Sequence, residues 1–286
     1  MKKKQLRNLG CVLMSASVIL SGVFCFDGGK VRAEYSGGNY IVDGGTITAT
    51  TLSDHKSELS YISSTGNLTI EGSALQEYDA LENIIVTGTL SLGSYSLAGN
   101  GALNSVVCTT MSGADATTFA GCPGININIT GQTAGSGYYM SGGALYNGST
   151  LIYVPASAGE SLTVRSGTTA IAAGAFNDSI VTALYFQNRD ADRITSFGSQ
   201  SGWPSEEMIC YCYGGSTETS AAAVSTFFTR DCENADANKV QYDSGTVGST
   251  PPTVDEGVPS QYDDGYSETA LSITPPAKSS PKTGEF

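Results

Sequence analysis

The chain has a single histidine, His55, among 286 residues. No Cys–His metal set can be built around it, and neither a metal nor a cofactor is expected. Charged residues are few as well, at 14%. Catalysis on a polysaccharide wants convergent carboxylates, or a Lys or Arg acting as base, at one place. The one compact group is Asp190 and Asp192 beside Arg189 and Arg193, in the run QNRDADR. It lies in a polar stretch after an apolar run and reads as a solvated turn of mixed charge. Glu206 and Glu207 read as an exposed approach to a strand. No catalytic residue is assigned, and the chain is not expected to be an enzyme.

Basic residues are scarcer still, and unevenly placed. Lys2, Lys3, Lys4 and Arg7 open the chain, Leu9 to Phe26 is apolar, and Val31-Arg32-Ala33 permits cleavage before Glu34. Residues 1–33 therefore read as a secretory signal, the alternative being an uncleaved membrane anchor. A lipid-attachment site is excluded, because Cys25 follows the large Phe24 and Cys11 comes too early. Six of the 14 basic and one of the 27 acidic residues lie in this segment, so the remainder carries 8 basic and 26 acidic residues, a net of −18. Such a surface repels phosphate backbones, so nucleic acid is not an expected partner.

Of seven cysteines, Cys108, Cys122, Cys210, Cys212 and Cys232 lie beyond the signal. An odd number outside the cell leaves at least one thiol free or bonded to another molecule. Cys122 reads as a small core residue. Cys210 and Cys212 share one strand face, because side chains alternate with period two. Cys232 is placed to return to either of them, and Cys212 with Cys232 is the pairing carried forward.

What the chain does have is glycine, 35 residues, and 40% apolar residues spread evenly. It is turn-rich rather than helical. Short apolar runs recur: Ile84–Val86, Val106–Cys108, Ile125–Ile129, Leu162–Val164, Ala183–Phe186 and Met208–Tyr211. Ile84 to Val106 is 22 positions and Val106 to Ile127 is 21. Each run is too short to bury a face alone, but stacked in parallel they make one sheet over one core. Between them, Ala175 and Phe176 can face back toward the strands, and these two, with Leu184 and Phe186 of the run Ala183–Phe186, are expected to be buried. Ile125, Ile127 and Ile129 alternate with asparagines, as a half-buried strand does.

Residues 34–65 read as an N-terminal lead-in, with a β-hairpin about Asp43-Gly44-Gly45 capping the first coil. Near 137–156 the period breaks. Leu145-Tyr146 and Leu151 to Val154 flank Asn147-Gly148, a second hairpin. Tyr138, Tyr139, Tyr146 and Tyr153 cluster there. They are either a Tyr-rich contact surface or ordinary strand packing. Ser216 is placed to cap a short helix from about Thr217 to Ser225, with Glu218 in its first turn and Ala221 to Val224 covering the last coil.

Three stretches carry a family resemblance. GTTAIAAGAFNDSIVTALYF, GGALYNGSTLIYVPA and ICYCYGGSTETSAAAVSTFF are similar to the repeat, the interrupting hairpin and the closing unit of BspA-type leucine-rich-repeat surface proteins. The likeness spans roughly Leu68 to Phe228. It implies a leucine-rich-repeat solenoid over 66–242, mainly β with short helical or irregular convex segments. The coils would be right-handed and parallel, with an inserted hairpin and a C-terminal capping helix. It also implies adhesion or binding without catalysis.

Residues 243–286, rich in Pro, Ser and acidic residues, read as a disordered spacer. They end in Pro281-Lys282-Thr283-Gly284, which resembles a sortase sorting motif, with the Thr283–Gly284 bond the one cut. Ser280 stands where Leu is usual, and attachment requires the chain to continue past Phe286 into a hydrophobic segment. The expectation is a binding protein on the surface of a Gram-positive-type bacterium. Its partners would be an extracellular protein or glycan, together with sortase and the cell envelope. The alternatives are a polysaccharide-active enzyme on a parallel β-helix and a passive stalk.

Overall fold

Residues 22 positions apart share an environment along the first half of the chain. Leu59, Leu81, Leu103 and Ile125 form one such series and Leu75, Leu97 and Phe119 another, all with no exposed surface. A buried polar position repeats with the same interval. Asn100 donates to the carbonyls of Leu75 (2.8 Å) and Leu97 (2.7 Å) and accepts from the Tyr78 N–H (2.6 Å). One coil on, the Cys122 thiol donates to the Leu97 carbonyl at 3.1 Å. The side chain closes the polar groups of the bend before it, which a buried turn requires.

The structure is a computed structural model that describes residues 26–27, 30–31, 33–187, 189–204, 208–213, 221–232 and 239–243. Nearly all of the expected signal, Glu206, Glu207, Ser216, Thr217, Glu218, the spacer beyond Asp243 and the motif at Pro281, Lys282, Thr283 and Gly284 lie outside the described residues. Strands β1 (Phe26–Asp27) and β2 (Lys30–Val31) form a small antiparallel pair. The first half then contains β3 (Ala33–Ser36), β4 (Asn39–Val42), β5 (Gly45–Ile47), β6 (Tyr61–Ser64), β7 (Leu68–Ile70), β8 (Asn83–Leu92), β9 (Ser105–Ser112) and β10 (Asn126–Ile129). From β4 to β9, each pairs in parallel with the strand one coil on, and β10 ends the series. Ile62, Ile84, Val106 and Ile127 stand in one register and point inward. In the first two coils two short strands flank a corner ahead of a turn-rich return, whereas β8 and β9 each run unbroken through the corner. The described residues form a mostly β solenoid of stacked parallel coils with about eight turns.

The corner explains one departure from the sequence expectation. β4 and β5, on either side of Asp43-Gly44-Gly45, do not pair with each other. β4 pairs with β6 and β5 with β7, so the expected hairpin is a solenoid corner. Turn chemistry is alike in both cases, and the partner strand 22 residues away decides. Gly66 and Gly88 follow at the same corner. A Cβ on Gly66 would lie 2.5 Å from the Asp43 carbonyl oxygen, and one on Gly88 2.9 Å from the backbone of Asn67. Neither corner can carry a side chain at this stacking distance. The actual hairpin is β3–β4, turning through Gly37-Gly38 at φ 54° and 82°, the positive-φ pair a two-residue turn demands.

After β10 the parallel stack is interrupted. β11 (Tyr138–Ser141), β12 (Ala144–Asn147) and β13 (Thr150–Tyr153) form an antiparallel meander. The expected hairpin about Asn147-Gly148 is there, with β11 as a third strand. Coils then resume with β14 (Ser161–Thr163), β15 (Ala170–Ile171), β16 (Ala183–Phe186), β17 (Ser196–Phe197), β18 (Ile209–Tyr213) and β19 (Lys239–Asp243). β14, β16, β18 and β19 make one parallel sheet, while β15 and β17 extend the meander from β13. The six apolar runs are thus parallel to their neighbours, but in two sheets rather than the single sheet expected. The meander occupies the place where the two would join.

Two hydrophobic cores result, one inside the front coils and one inside the rear coils. Ala175, Phe176, Leu184 and Phe186 are fully buried in the rear core, as their spacing predicts. Phe176 stacks on Trp203 with centroids 4.1 Å apart, and Trp203 donates its indole N–H to the Val181 carbonyl at 3.0 Å. Helix α1 (Ala222–Thr226) runs on through a wider turn, Phe227–Asp231. It buries Val224, Phe227 and Phe228. Its start is later than expected, and Ala221 provides no side-chain cap. β19 follows and pairs with β18, so the chain adds a strand after the helix.

Candidate functional site

The tyrosine cluster is the first candidate, and the structure turns it inward. Tyr139, Tyr146 and Tyr153 are at most 1% exposed, and Tyr138 is half-buried. The meander has a core on each side. Leu145, Ile152 and Tyr153 belong to the front core; Tyr139, Ala144, Tyr146, Leu151 and Val154 belong to the rear one. Alternation sends successive residues to opposite faces. A bulge at Leu145/Tyr146 makes Ile152 an extra residue on the front side. The tyrosines are therefore a septum, not a contact surface. Their hydroxyls are spent internally: Tyr138 on the Ala114 carbonyl (2.6 Å), Tyr139 on the Gly148 carbonyl (2.7 Å) and Tyr153 on Asp178 (2.9 Å). Asp178 also accepts the Gly121 N–H at 2.9 Å, tying a front coil to a rear one. Burial, reinforced by the Asp178 charge, holds the Tyr153 hydroxyl well above the usual phenol range.

The QNRDADR turn also differs from expectation. Asp190 is not solvated but 1% exposed. It accepts from Ser166 at 3.2 Å and pairs with Arg193 at 3.3 Å, while Arg189 pairs with Asp192 at 2.8 Å. Burial pushes the Asp190 carboxyl up, against the Ser166 hydrogen bond and the Arg193 charge. Each arginine is committed to its own carboxylate, and Asp190 is sealed from any large substrate. All five described cysteines are buried free thiols, Cys212 and Cys232 included, so the expected bridge between them is not formed in the structure. Cys210 and Cys212 do share the rear core. Burial pushes the thiols of Cys108 and Cys122 up to about 12.

The accessible candidate is the outer face of the front sheet. Its strands place Asn39, Tyr61, Asn83, Ser105 and Asn126 in one column across the coils. Ile41, Ser63, Ile85, Val107 and Asn128 form the next. All are half-buried or exposed, and Ile41 reaches 45% exposure. Side chains within a column are spaced by the distance between strands, about 4.8 Å, and the two columns lie about 6.6 Å apart. Neither column contains a charge. Between Glu82 and Glu160 the only charged residue in the sequence is Asp115; Glu34 and Asp43 stand at the first-coil end of the face. Asn83, Ser105, Asn126 and Asn128 spend no side-chain hydrogen bond on the described residues. The hydroxyls along the second halves of β8 and β9 differ, since Thr89 and Thr110 (2.7 Å) and Ser91 and Ser112 (2.9 Å) satisfy one another.

Comparison with family models, curated proteins and solved structures returns no match.

The rear sheet carries a second outward feature. Tyr185, Tyr211 and Tyr213 face away from the rear core as a stack of nearly parallel rings, Tyr185 and Tyr211 4.8 Å apart. Tyr185 and Tyr213 are 5% and 4% exposed, so the stack mainly reinforces the sheet. No group of three or more metal-binding side chains is found among the described residues. The front face escaped the sequence reading because outward positions follow no apolar rule. Its signal was the missing charge between Glu82 and Glu160.

Proposed function

We propose that the protein is a secreted, wall-attached adhesion or binding protein of the BspA-type leucine-rich-repeat class, without catalysis. In this reading the coils are right-handed and the helix with β19 closes the rear end. Residues 1–33 direct export, the segment after Asp243 is a spacer, and sortase joins Thr283 to the envelope of a Gram-positive-type cell. The observation that carries it is the front face: two uncharged columns, accessible and repeated coil by coil, in which Asn83, Ser105, Asn126 and Asn128 spend no side-chain hydrogen bond on the described residues, whereas the Asn39 amide donates to the Ser36 and Gly37 carbonyls. A solenoid varies such outward residues without disturbing its core.

The test is the full chain on an immobilised panel of glycans and extracellular-matrix proteins. Saturable binding to at least one class is expected. Binding to none would leave a passive stalk, and released reducing ends or unsaturated products would make it an enzyme. The coding sequence after Phe286 tests attachment, where a hydrophobic segment followed by basic residues is expected.

A further inference from the structure

We infer that the front face takes an uncharged polysaccharide, laid across the coils with its sugar rings on the column of Ile41, Ile85 and Val107. The inference rests on the binding reading above and adds the ligand's chemical class. A pyranose has an apolar C–H face and a rim of hydroxyls, so it needs an apolar strip flanked by hydrogen-bonding groups. The front face is built that way. Ile41, Ile85 and Val107 stand in one register, with Ser63 between the first two. On one flank run Asn39, Tyr61, Asn83, Ser105 and Asn126. On the other, Thr87 and Thr109 follow at the corner, their hydroxyls donating to the carbonyls of Thr65 (2.8 Å) and Thr87 (2.7 Å) one coil back. Each of these hydroxyl oxygens keeps acceptor capacity for a sugar hydroxyl.

Charge selects among polymers. The chain beyond residue 33 is strongly acidic, and the face itself holds no cation to neutralise a uronate, sulfate or phosphate. Anionic polysaccharides are repelled at long range and gain nothing on contact. An uncharged one pays neither penalty. Repetition matters too, because single sugar contacts are weak. A polymer engaging several coils at once gains effective concentration from each bond already made.

The experiment is native gel electrophoresis of the full chain in gels containing neutral mixed-linkage β-glucan, galactomannan or dextran. Parallel gels contain polygalacturonate or alginate. Retardation by at least one neutral polymer and by neither anionic one is expected. Two paired substitutions test the face, Ile85→Asp with Val107→Asp and Asn83→Ala with Asn126→Ala. The second pair removes only amides that make no side-chain hydrogen bond to the described residues, one half-buried and one exposed, and keeps the fold if the first does not. Each pair should weaken apparent affinity at least tenfold while the far-UV circular dichroism spectrum and its denaturation midpoint stay native. Undiminished retardation in a folded variant, or equal retardation by anionic polymers, overturns the inference. Binding of a matrix protein with no polysaccharide retained overturns it too but spares the binding reading. Failure of every ligand class removes both.

Discussion

Phe176→Ala is the most informative single change. Phe176 is fully buried, with Trp203 stacked at 4.1 Å on one side and Phe197 at 6.5 Å on another. Its backbone N–H is held by Gln200 at 2.9 Å, so the main chain cannot easily collapse into the space left. Removing a buried Phe ring costs about 3–5 kcal/mol under these conditions. Total stability of a domain is about 5–15 kcal/mol, so the loss is a large fraction of it. For a chain of this size it lowers Tm by roughly 6–20 °C. The assay is built in, because Trp203 is the only tryptophan and reports the rear core directly. Far-UV circular dichroism reports both halves. Coils touch only their neighbours, so the fluorescence transition should move to lower denaturant while a substantial part of the dichroism signal stays behind. An unchanged fluorescence transition would refute the packing argument. Two signals shifting together would refute its regional character and show that the tyrosine septum couples both cores.

Asn100→Ala should cost more than about 2 kcal/mol by stripping partners from buried backbone groups. Asn100→Cys should cost less, since Cys122 fills the equivalent place one coil on; equal losses in urea would sink that equivalence. Cys108 and Cys122 should resist a thiol reagent at pH 8 until denaturant is added, and rapid native-state labelling would contradict their burial. Burial alone would raise the Asp115 carboxyl, but hydrogen bonds from Ser94, Thr117 and Thr118 outweigh it and hold the group below the usual carboxylate range. Its contribution is therefore present above about pH 4 and lost as pH falls through the lowered value. Asp115→Ala should destabilise at pH 7 and much less near pH 2, and a pH-independent loss would contradict the assignment.

The parts of this fold legible in the sequence are those written locally. The 22-residue interval from Ile84 to Val106, the alternation Ile125–Asn126–Ile127–Asn128–Ile129 and the burial of Ala175 and Phe176 all follow from period and pattern. Partner choice is not local. Asp43-Gly44-Gly45 has hairpin chemistry, yet β6 and β7 claim the strands on either side of it. The tyrosines obey strand alternation, but nothing near them in sequence says that a core lies on both faces. Asp190 looks like a solvated turn because Ser166, which helps bury it, is a coil away. For the candidate site only the scarcity of charge was visible, since its columns exist only once the coils are stacked.

The corner glycines and an interval of 22 or 21 residues give the front half a modular grammar. Residues 83–104 are one complete turn, beginning and ending at equivalent points of the solenoid. A tandem copy of that segment meets the present neighbours, β6 and β7 on one side and β9 on the other, at its two outer junctions, and only the junction between the copies is new. Such a duplication would add one rung of about 4.8 Å to the outer face, leaving both ends and the tyrosine septum as they are. The reach of the face is therefore adjustable in discrete steps, by copying sequence rather than redesigning it.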